Sequence, residues 1–131
     1  MDATATQLTK NQAQVLQALS GAAGPVSAYT LLERLRGQGF RAPLQVYRAL
    51  DKLIEYGMAH RIESMNAFVA CAHPDHAHTC AVFAICDHCG RTEEFFDGAV
   101  GRRLGGWARD HAFKLDRTSI ELRGTCSDCR P

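Results

Sequence analysis

Cysteine is missing from the first 70 residues of this 131-residue chain, and histidine occurs there only once, as His60. All six cysteines and the other five histidines lie in residues 71–131. Thiolate and imidazole groups are the ligands that zinc prefers in proteins. The sequence therefore predicts a metal-free first domain, joined near residue 70 to a metal-rich second one.

Long hydrophobic runs are also missing. The longest, "CAVFAIC" at residues 80–86, is far shorter than the roughly 20 apolar residues that span a bilayer. The first residues, "MDATATQLTKNQ", contain no apolar stretch typical of a secretory signal. We therefore expect no membrane partner and a cytoplasmic location, where thiols stay reduced and paired cysteines bind metal more often than they form disulfides.

The chain has no strong excess of charge of either sign. Residues 1–70 carry seven Lys/Arg and five Asp/Glu, a net +2, whereas residues 71–131 carry eight and nine, a net −1. A broad basic surface is thereby excluded. Contact with nucleic acid would depend on a few placed cations.

Capping residues mark three helices in the first part. Thr9 and Gln12 have the spacing of a capping box, Ser27 is a typical N-cap, and Pro43 suits the first turn of the segment "PLQVYRALDKLIEY". Apolar residues at helical spacing predict the buried faces. These are Val15, Leu16 and Leu19, then Ala28, Leu31, Leu32 and Leu35, and then Val46, Leu50, Leu53 and Ile54.

A predicted hairpin, with strands at residues 58–63 and 67–70, follows the three helices. This order is that of a winged helix-turn-helix. The second part reads as strands at 81–85, 91–95 and 119–123, with a helix near 100–111. The predicted fold class is α+β, with a winged-helix domain at 1–70, a hinge at 71–79 and a small α/β domain at 80–131.

The exposed side of the third helix is a candidate DNA reader, since a helix of this kind fits the major groove. Arg48 is suited to bidentate contact with guanine, Tyr47 to a phosphate or a thymine methyl group, and Lys52 to a phosphate. Gln45 points outward as well and is a further predicted DNA-binding residue. The alternative is an ordinary amphipathic helix with a solvated charged face, and this helix alone does not decide between them.

Two C-x-x-C pairs, "CDHC" and "CSDC", are separated by 36 residues. Each pair places two sulfurs close enough to share an ion, and four thiolates form a closed tetrahedral site for Zn²⁺. The long spacing indicates a metal that closes a small domain. A redox role is disfavoured because no βαβ pattern surrounds the first pair, and disulfide or iron–sulfur use are minor alternatives. The predicted structural-zinc ligands are Cys86, Cys89, Cys126 and Cys129.

A second group of ligand-type residues is concentrated in "CAHPDHAHTC", residues 71–80. Histidine-rich linkers are often no more than solvated polar segments. Here the segment begins with a cysteine and lies between a DNA-binding candidate and a zinc domain. Metal bound there would tie the two domains together.

Three features together resemble the ferric uptake regulator family: "QVYRALDKLIEYGMAHRIE", the cysteine and histidines of the hinge, and the two C-x-x-C pairs. Within that family the pattern is most similar to the zinc uptake regulators, from about Leu8 to Cys129. The resemblance implies a homodimer with an N-terminal winged helix in each subunit and C-terminal dimerisation domains. It also implies that Tyr47 and Arg48 contact DNA.

The same resemblance implies a regulatory zinc site built from His60, Cys71, His78 and Glu94. His76 competes for the hinge position, because the stretch from His78 to Cys86 is one residue longer than the family pattern. One thiolate, two imidazoles and one carboxylate suit tetrahedral zinc, and the soft sulfur disfavours Fe²⁺ and Mn²⁺. Zn²⁺ is thus the expected cofactor, with one structural and at least one regulatory ion per subunit.

Some positions depart from the family pattern or have other expected roles. Ala42 occupies the place of a Ser or Thr cap, so a looser start of the third helix is expected. Gly101 and Thr118 stand where many relatives have ligands of a third metal site, which makes that site doubtful here. We expect Cys80 to be buried, His88 to be exposed and His111 to cap or pack at a helix end.

The predicted function is a zinc-responsive transcriptional repressor that binds palindromic operators in double-stranded DNA when its hinge site holds zinc. No catalysis and no small-molecule substrate are expected, because zinc-hydrolase and deaminase motifs are lacking. The alternatives are a sensor of another metal or of peroxide in the same family, or a zinc-stabilised module that binds protein or RNA.

Overall fold

The structure is a computed structural model, and it describes residues 7–71, 80–116 and 118–131. The chain divides into two compact units, with the division between residues 75 and 76. The elements in chain order are α1 (Lys10–Ser20), α2 (Ala28–Leu35), α3 (Pro43–Glu55), β1 (Ala59–Ile62), β2 (Ala67–Ala70), β3 (Ala81–Cys86), β4 (Thr92–Phe96), α4 (Gly98–Asp110) and β5 (Ser119–Gly124). The predicted α+β class is confirmed.

The helix starts of the first unit follow the predicted capping residues. The amide of Gln12 donates to the Thr9 hydroxyl at 3.1 Å, and the Gln12 side chain accepts from the Thr9 amide at 3.0 Å. The Ser27 hydroxyl accepts from the amide of Thr30 at 3.0 Å. Pro43 lies in the first turn of α3. These bonds satisfy backbone donors that a helix start otherwise leaves without partners.

The three helices and the wing, which is the β1–β2 hairpin, enclose one apolar core. The β1 strand is shorter than predicted, because residues 63–65 form a turn of 3₁₀ helix and Asn66 takes a left-handed conformation. Val26 and Phe68 exchange two backbone hydrogen bonds of 2.9 and 2.7 Å, which tie the wing to the segment before α2. The core residues are Val15, Leu19, Val26, Ala28, Leu31, Leu32, Leu35, Phe40, Val46, Ala49, Leu50, Leu53, Ala59 and Phe68.

The second unit is built around a three-stranded sheet in the order β4-β3-β5. The central strand β3 pairs antiparallel with β4 and parallel with β5. The α4 helix starts at Asp97, whose carboxylate accepts from the amide of Val100 at 3.0 Å. Both C-x-x-C pairs lie at one end of this sheet, the first beginning at the last residue of β3 and the second just after β5.

Candidate metal centres and DNA-facing helix

The α3 helix presents a solvent-exposed side whose first half is suited to DNA. Tyr47 and Arg48 are exposed, and Arg48 forms no ion pair within the described part of the chain. The Tyr47 ring makes an edge contact with Phe68 of the wing, at 6.4 Å between centroids, which limits its rotation. Lys52 is exposed and lies 3.4 Å from Glu55. Because this acidic residue lies in the last turn, the N-terminal half is the favourable end for a duplex.

The start of α3 is held in a way that the sequence did not predict. Ala42 has no side-chain acceptor for the amides of the first turn, but the side chain of Gln45 in that turn reaches back to the residues before α3. Its Oε1 accepts from the amides of Arg41 at 2.6 Å and Ala42 at 3.1 Å, and its Nε2 donates to the carbonyl of Gly39 at 3.2 Å. Gln45 thus holds the turn that leads into α3, by bonds different from the one a hydroxyl at position 42 would make.

The wing brings together two of the predicted regulatory ligands. His60 on β1 lies opposite Val69 of β2, and Cys71 follows two residues later. Residues two apart along a strand point to the same face, so His60 and Cys71 share one face of the hairpin. The amide of Cys71 donates to the carbonyl of Met58 at 2.8 Å, which extends the pairing to this position. The His60 nitrogen and the Cys71 sulfur lie within 4.8 Å of each other.

The remaining predicted ligands of that site belong to other segments. Glu94 lies half-buried on β4 of the second unit, in register with Phe83 of β3. His78 and its competitor His76 lie outside the described residues. The complete regulatory set therefore stays a prediction.

The four cysteines of the two C-x-x-C pairs converge at the end of the second unit's sheet. Their sulfurs all lie within 4.8 Å of one another, and the sulfurs of Cys89 and Cys126 are 3.8 Å apart. Tetrahedral Zn²⁺ with Zn–S bonds of about 2.3 Å places its sulfurs about 3.8 Å apart. All four are free thiols rather than disulfides. The cluster thus fits zinc in both its donor atoms and its spacing.

Backbone groups also support thiolate formation at this cluster. The amides of Cys126 and His88 donate to the Cys86 sulfur at 3.3 and 3.4 Å. Donation from Cys126 is the main reason that the pKa of Cys86 is lowered to about 6. Hydrogen bonding to the sulfur of Cys126 raises the pKa of Cys129 to about 12. The cluster therefore offers one thiolate near neutral pH and one sulfur that keeps its proton until a cation replaces it.

Two ion pairs link the C-x-x-C turns, and the sequence reasoning missed both. Arg123 at the end of β5 places Nε and Nη2 at 3.0 and 2.7 Å from one carboxylate oxygen of Asp87, inside the first turn. Arg91, just after that turn, contacts Asp128 inside the second turn at 3.2 Å. An aspartate within each C-x-x-C, with Arg91 two residues after the first pair and Arg123 three residues before the second, was a visible pattern that could have indicated them.

Three residues with other expected roles have the predicted environments. Cys80 is fully buried, and burial, followed by the neighbouring charge of Asp97, raises the pKa of its thiol. His88 is exposed. The Nδ1 of His111 hydrogen-bonds the carbonyl of Trp107 at 2.8 Å, and the two rings stack at 4.2 Å. His111 therefore caps the C-terminal end of α4, as expected.

None of the helices in the described ranges has the length and apolarity that crossing a bilayer requires. A winged helix-turn-helix followed by a small domain with a four-cysteine site is the architecture of a metal-dependent DNA-binding regulator. The profile of the "Ferric uptake regulator family" matches residues 3–123. The chain belongs to this family, whose members are transcription regulators and not enzymes.

Relatives and solved structures agree with this assignment. The "Zinc uptake regulation protein" of Escherichia coli (strain K12) is 40% identical over 125 residues, covering 94% of this chain and 72% of that protein. The crystal structure of holo XcZur superimposes with a TM-score of 0.85 at 41% identity, covering 94% and 86% of the two chains. A "Zinc Uptake Regulator Complexed With Zinc AND DNA" gives a TM-score of 0.88 at 36% identity, covering 95% and 84%.

Proposed function

We propose that this protein is a zinc-responsive transcription regulator that binds operator DNA as a homodimer in the cytoplasm and represses the genes it controls. The similarity to a regulator solved with zinc and DNA, which covers 95% of this chain, supports this function. Members of the family act as DNA-binding dimers. The first unit is the DNA-binding domain and the second the dimerisation and structural-zinc domain, with residues 71–79 as the hinge.

DNA contact is made by the exposed side of α3. Arg48 reads a base edge in the major groove, because its guanidinium is exposed and carries five donors in a fixed fork. Tyr47 lies one residue earlier, braced by Phe68, where it reaches the backbone or a thymine methyl group. Lys52 contacts a phosphate, and its weak surface ion pair with Glu55 breaks when it does so.

Zinc responsiveness is supported above all by one observation: His60 and Cys71 lie close together on one face of the wing. We assign His78 of the hinge and Glu94 of β4 as the other ligands, with His76 as the competitor of His78. The donor set of sulfur, two imidazole nitrogens and one carboxylate oxygen fits tetrahedral zinc. Bound zinc would then cross-link the wing and the hinge to β4.

DNA binding and zinc binding are then coupled by linkage. If zinc favours the DNA-competent arrangement by a given factor, operator DNA raises the affinity for zinc by the same factor. The structural site takes no part in this coupling, since four thiolates leave no open position for exchange with a substrate or water.

The test is titration of a palindromic duplex, selected by the zinc-loaded protein from a random library, under chelator-buffered free zinc. Wild type should bind the duplex tightly only above a threshold of free zinc. Cys71→Ser should bind one zinc fewer per subunit and should not gain tight DNA binding as free zinc rises. Cys80→Ala is the matched control, because that thiol is fully buried and is assigned to neither zinc site. Full zinc-dependent binding by Cys71→Ser would refute the assignment, and equal binding at all zinc levels by wild type would refute the function.

A further inference from the structure

The recognition helix α3 begins without the side-chain cap that α1 and α2 possess. Thr9 and Ser27 cap those helices through hydroxyl oxygens, whereas the Ala42 side chain has no acceptor atom. A helix start has backbone donors that need partners outside the helix. At α3 the Gln45 side chain reaches backwards and accepts from the amides of Arg41 and Ala42.

The same side chain fixes the turn that leads into α3. Its Nε2 donates to the carbonyl of Gly39, a residue whose φ of +98° is costly for any residue except glycine. The next residue, Phe40, is buried in the first unit's core at 1% exposure. The turn is therefore held from the core by Phe40 and from the helix by Gln45.

Both polar atoms of Gln45 are used by these three hydrogen bonds. Reading an adenine with glutamine needs the same oxygen and nitrogen together, aimed at the base edge. A Gln45 that contacts a base would therefore release the amides of Arg41 and Ala42 at the helix end that faces DNA. Because the loss of those two hydrogen bonds costs free energy, Gln45 is poorly suited to reading the base sequence.

We propose that Gln45 is a positioning residue that sets the start of the recognition helix and does not read bases. The inference extends the proposed function, because it concerns how the DNA-binding helix is presented. It separates Gln45 from Arg48, which lies on the same exposed side and forms no ion pair in the described residues.

The experiment compares Gln45→Ala with Gln45→Ala/Ala42→Ser, in which a serine hydroxyl at position 42 can accept from the amide of residue 45 and so stabilise the helix start by a different bond. Affinity is measured for the library-selected duplex and for variants with each base pair changed. Gln45→Ala should weaken binding to every duplex by a similar factor of about 10, the size of an N-cap contribution. The double variant should recover part of that loss with every duplex, because the new cap stabilises the helix start while the amides of residues 41 and 42 stay without the Gln45 oxygen. Loss of preference at one base pair without recovery, or no loss at all, would overturn the proposal.

Gln38→Ala is the matched control, because Gln38 lies in the same turn but its side chain bonds Gln14 of α1. It should leave affinity for every duplex unchanged. A readout without DNA separates this inference from the zinc-dependent function: hydrogen exchange of the Arg41 and Ala42 amides should accelerate in Gln45→Ala and not in Gln38→Ala. Unchanged exchange in Gln45→Ala would refute the cap even if zinc control of DNA binding holds.

Discussion

At the scale of single residues, the closeness of His60 and Cys71 in the wing depends on the two-residue step from Val69 to Cys71. His60 lies opposite Val69, so Cys71 shares its face, whereas Ala70 points to the other one. A one-residue shift in register would turn the cysteine away from the histidine. The sequence predicted the hairpin from its strand-forming residues, but the pairing of His60 with Val69 depends on how residues 63–66 turn.

Cys80 is the one cysteine that is assigned to neither zinc site, and its burial has a chemical consequence. Cys80 is buried, and burial raises the pKa of its thiol, so the reactive thiolate is scarce. We expect Cys80 in the zinc-loaded protein to react with iodoacetamide at pH 8 at least about tenfold more slowly than a free model thiol. Mass spectrometry of the alkylated peptides measures the rate. Denatured protein is the control, and rapid modification of Cys80 in the native state would contradict the burial of its thiol.

At the scale of elements, the helix starts were predictable, but the contacts that hold the turn before α3 were not. Thr9 and Ser27 cap amides three residues further on, and Pro43 suits a first helical turn, so sequence spacing alone indicates all three starts. Gln45 reaches back to Gly39, and that bond exists only because the turn folds onto α3. The four sulfurs were predicted from C-x-x-C spacing, whereas the arginine–aspartate pairs depend on β5 lying parallel to β3.

The ion pairs between the two C-x-x-C turns give an element-scale prediction. Asp87 bonds Arg123, and its amide donates to the carbonyl of Gly124 at 2.7 Å, so the first turn is held against β5 without metal. Arg123→Gln should speed zinc loss to a chelator by about two- to fivefold, since exposed pairs contribute little each. Stopped-flow absorbance of a chromogenic chelator measures the rate. Arg130→Gln, beside Cys129, is the matched control, and equal rates in both variants would contradict the role of Arg123.

At the scale of the whole molecule, the two units are stabilised by different means. The first has an apolar core contributed by three helices and the wing. The second buries few large side chains and has Val100, Leu104 and Trp107 of α4 partly exposed. Small domains of this kind often need a metal to supply folding free energy. Zinc at the four cysteines is therefore expected to support the second unit and not the first.

Removal of the structural zinc should consequently unfold one unit and spare the other. In Cys126→Ser/Cys129→Ser we expect the helical signal of α1–α3 to persist with its own thermal transition, while the sheet of the second unit is lost. Circular dichroism and limited proteolysis followed by mass spectrometry check the outcome. Cys80→Ala again serves as the control. A single cooperative transition in which both units unfold together would show that they do not fold separately.

The parallel pairing of β3 with β5 has a consequence for synthesis of the protein on the ribosome. Cys89 and Cys126 are 37 residues apart, so the second pair of thiols emerges about 2–7 seconds after the first at ordinary elongation rates. During that interval the helices and hairpin can fold, because their contacts are local. The nascent second unit meanwhile carries two thiols without partners. A newly made copy in a zinc-poor cell is thus exposed to proteolysis before it ever reaches an operator.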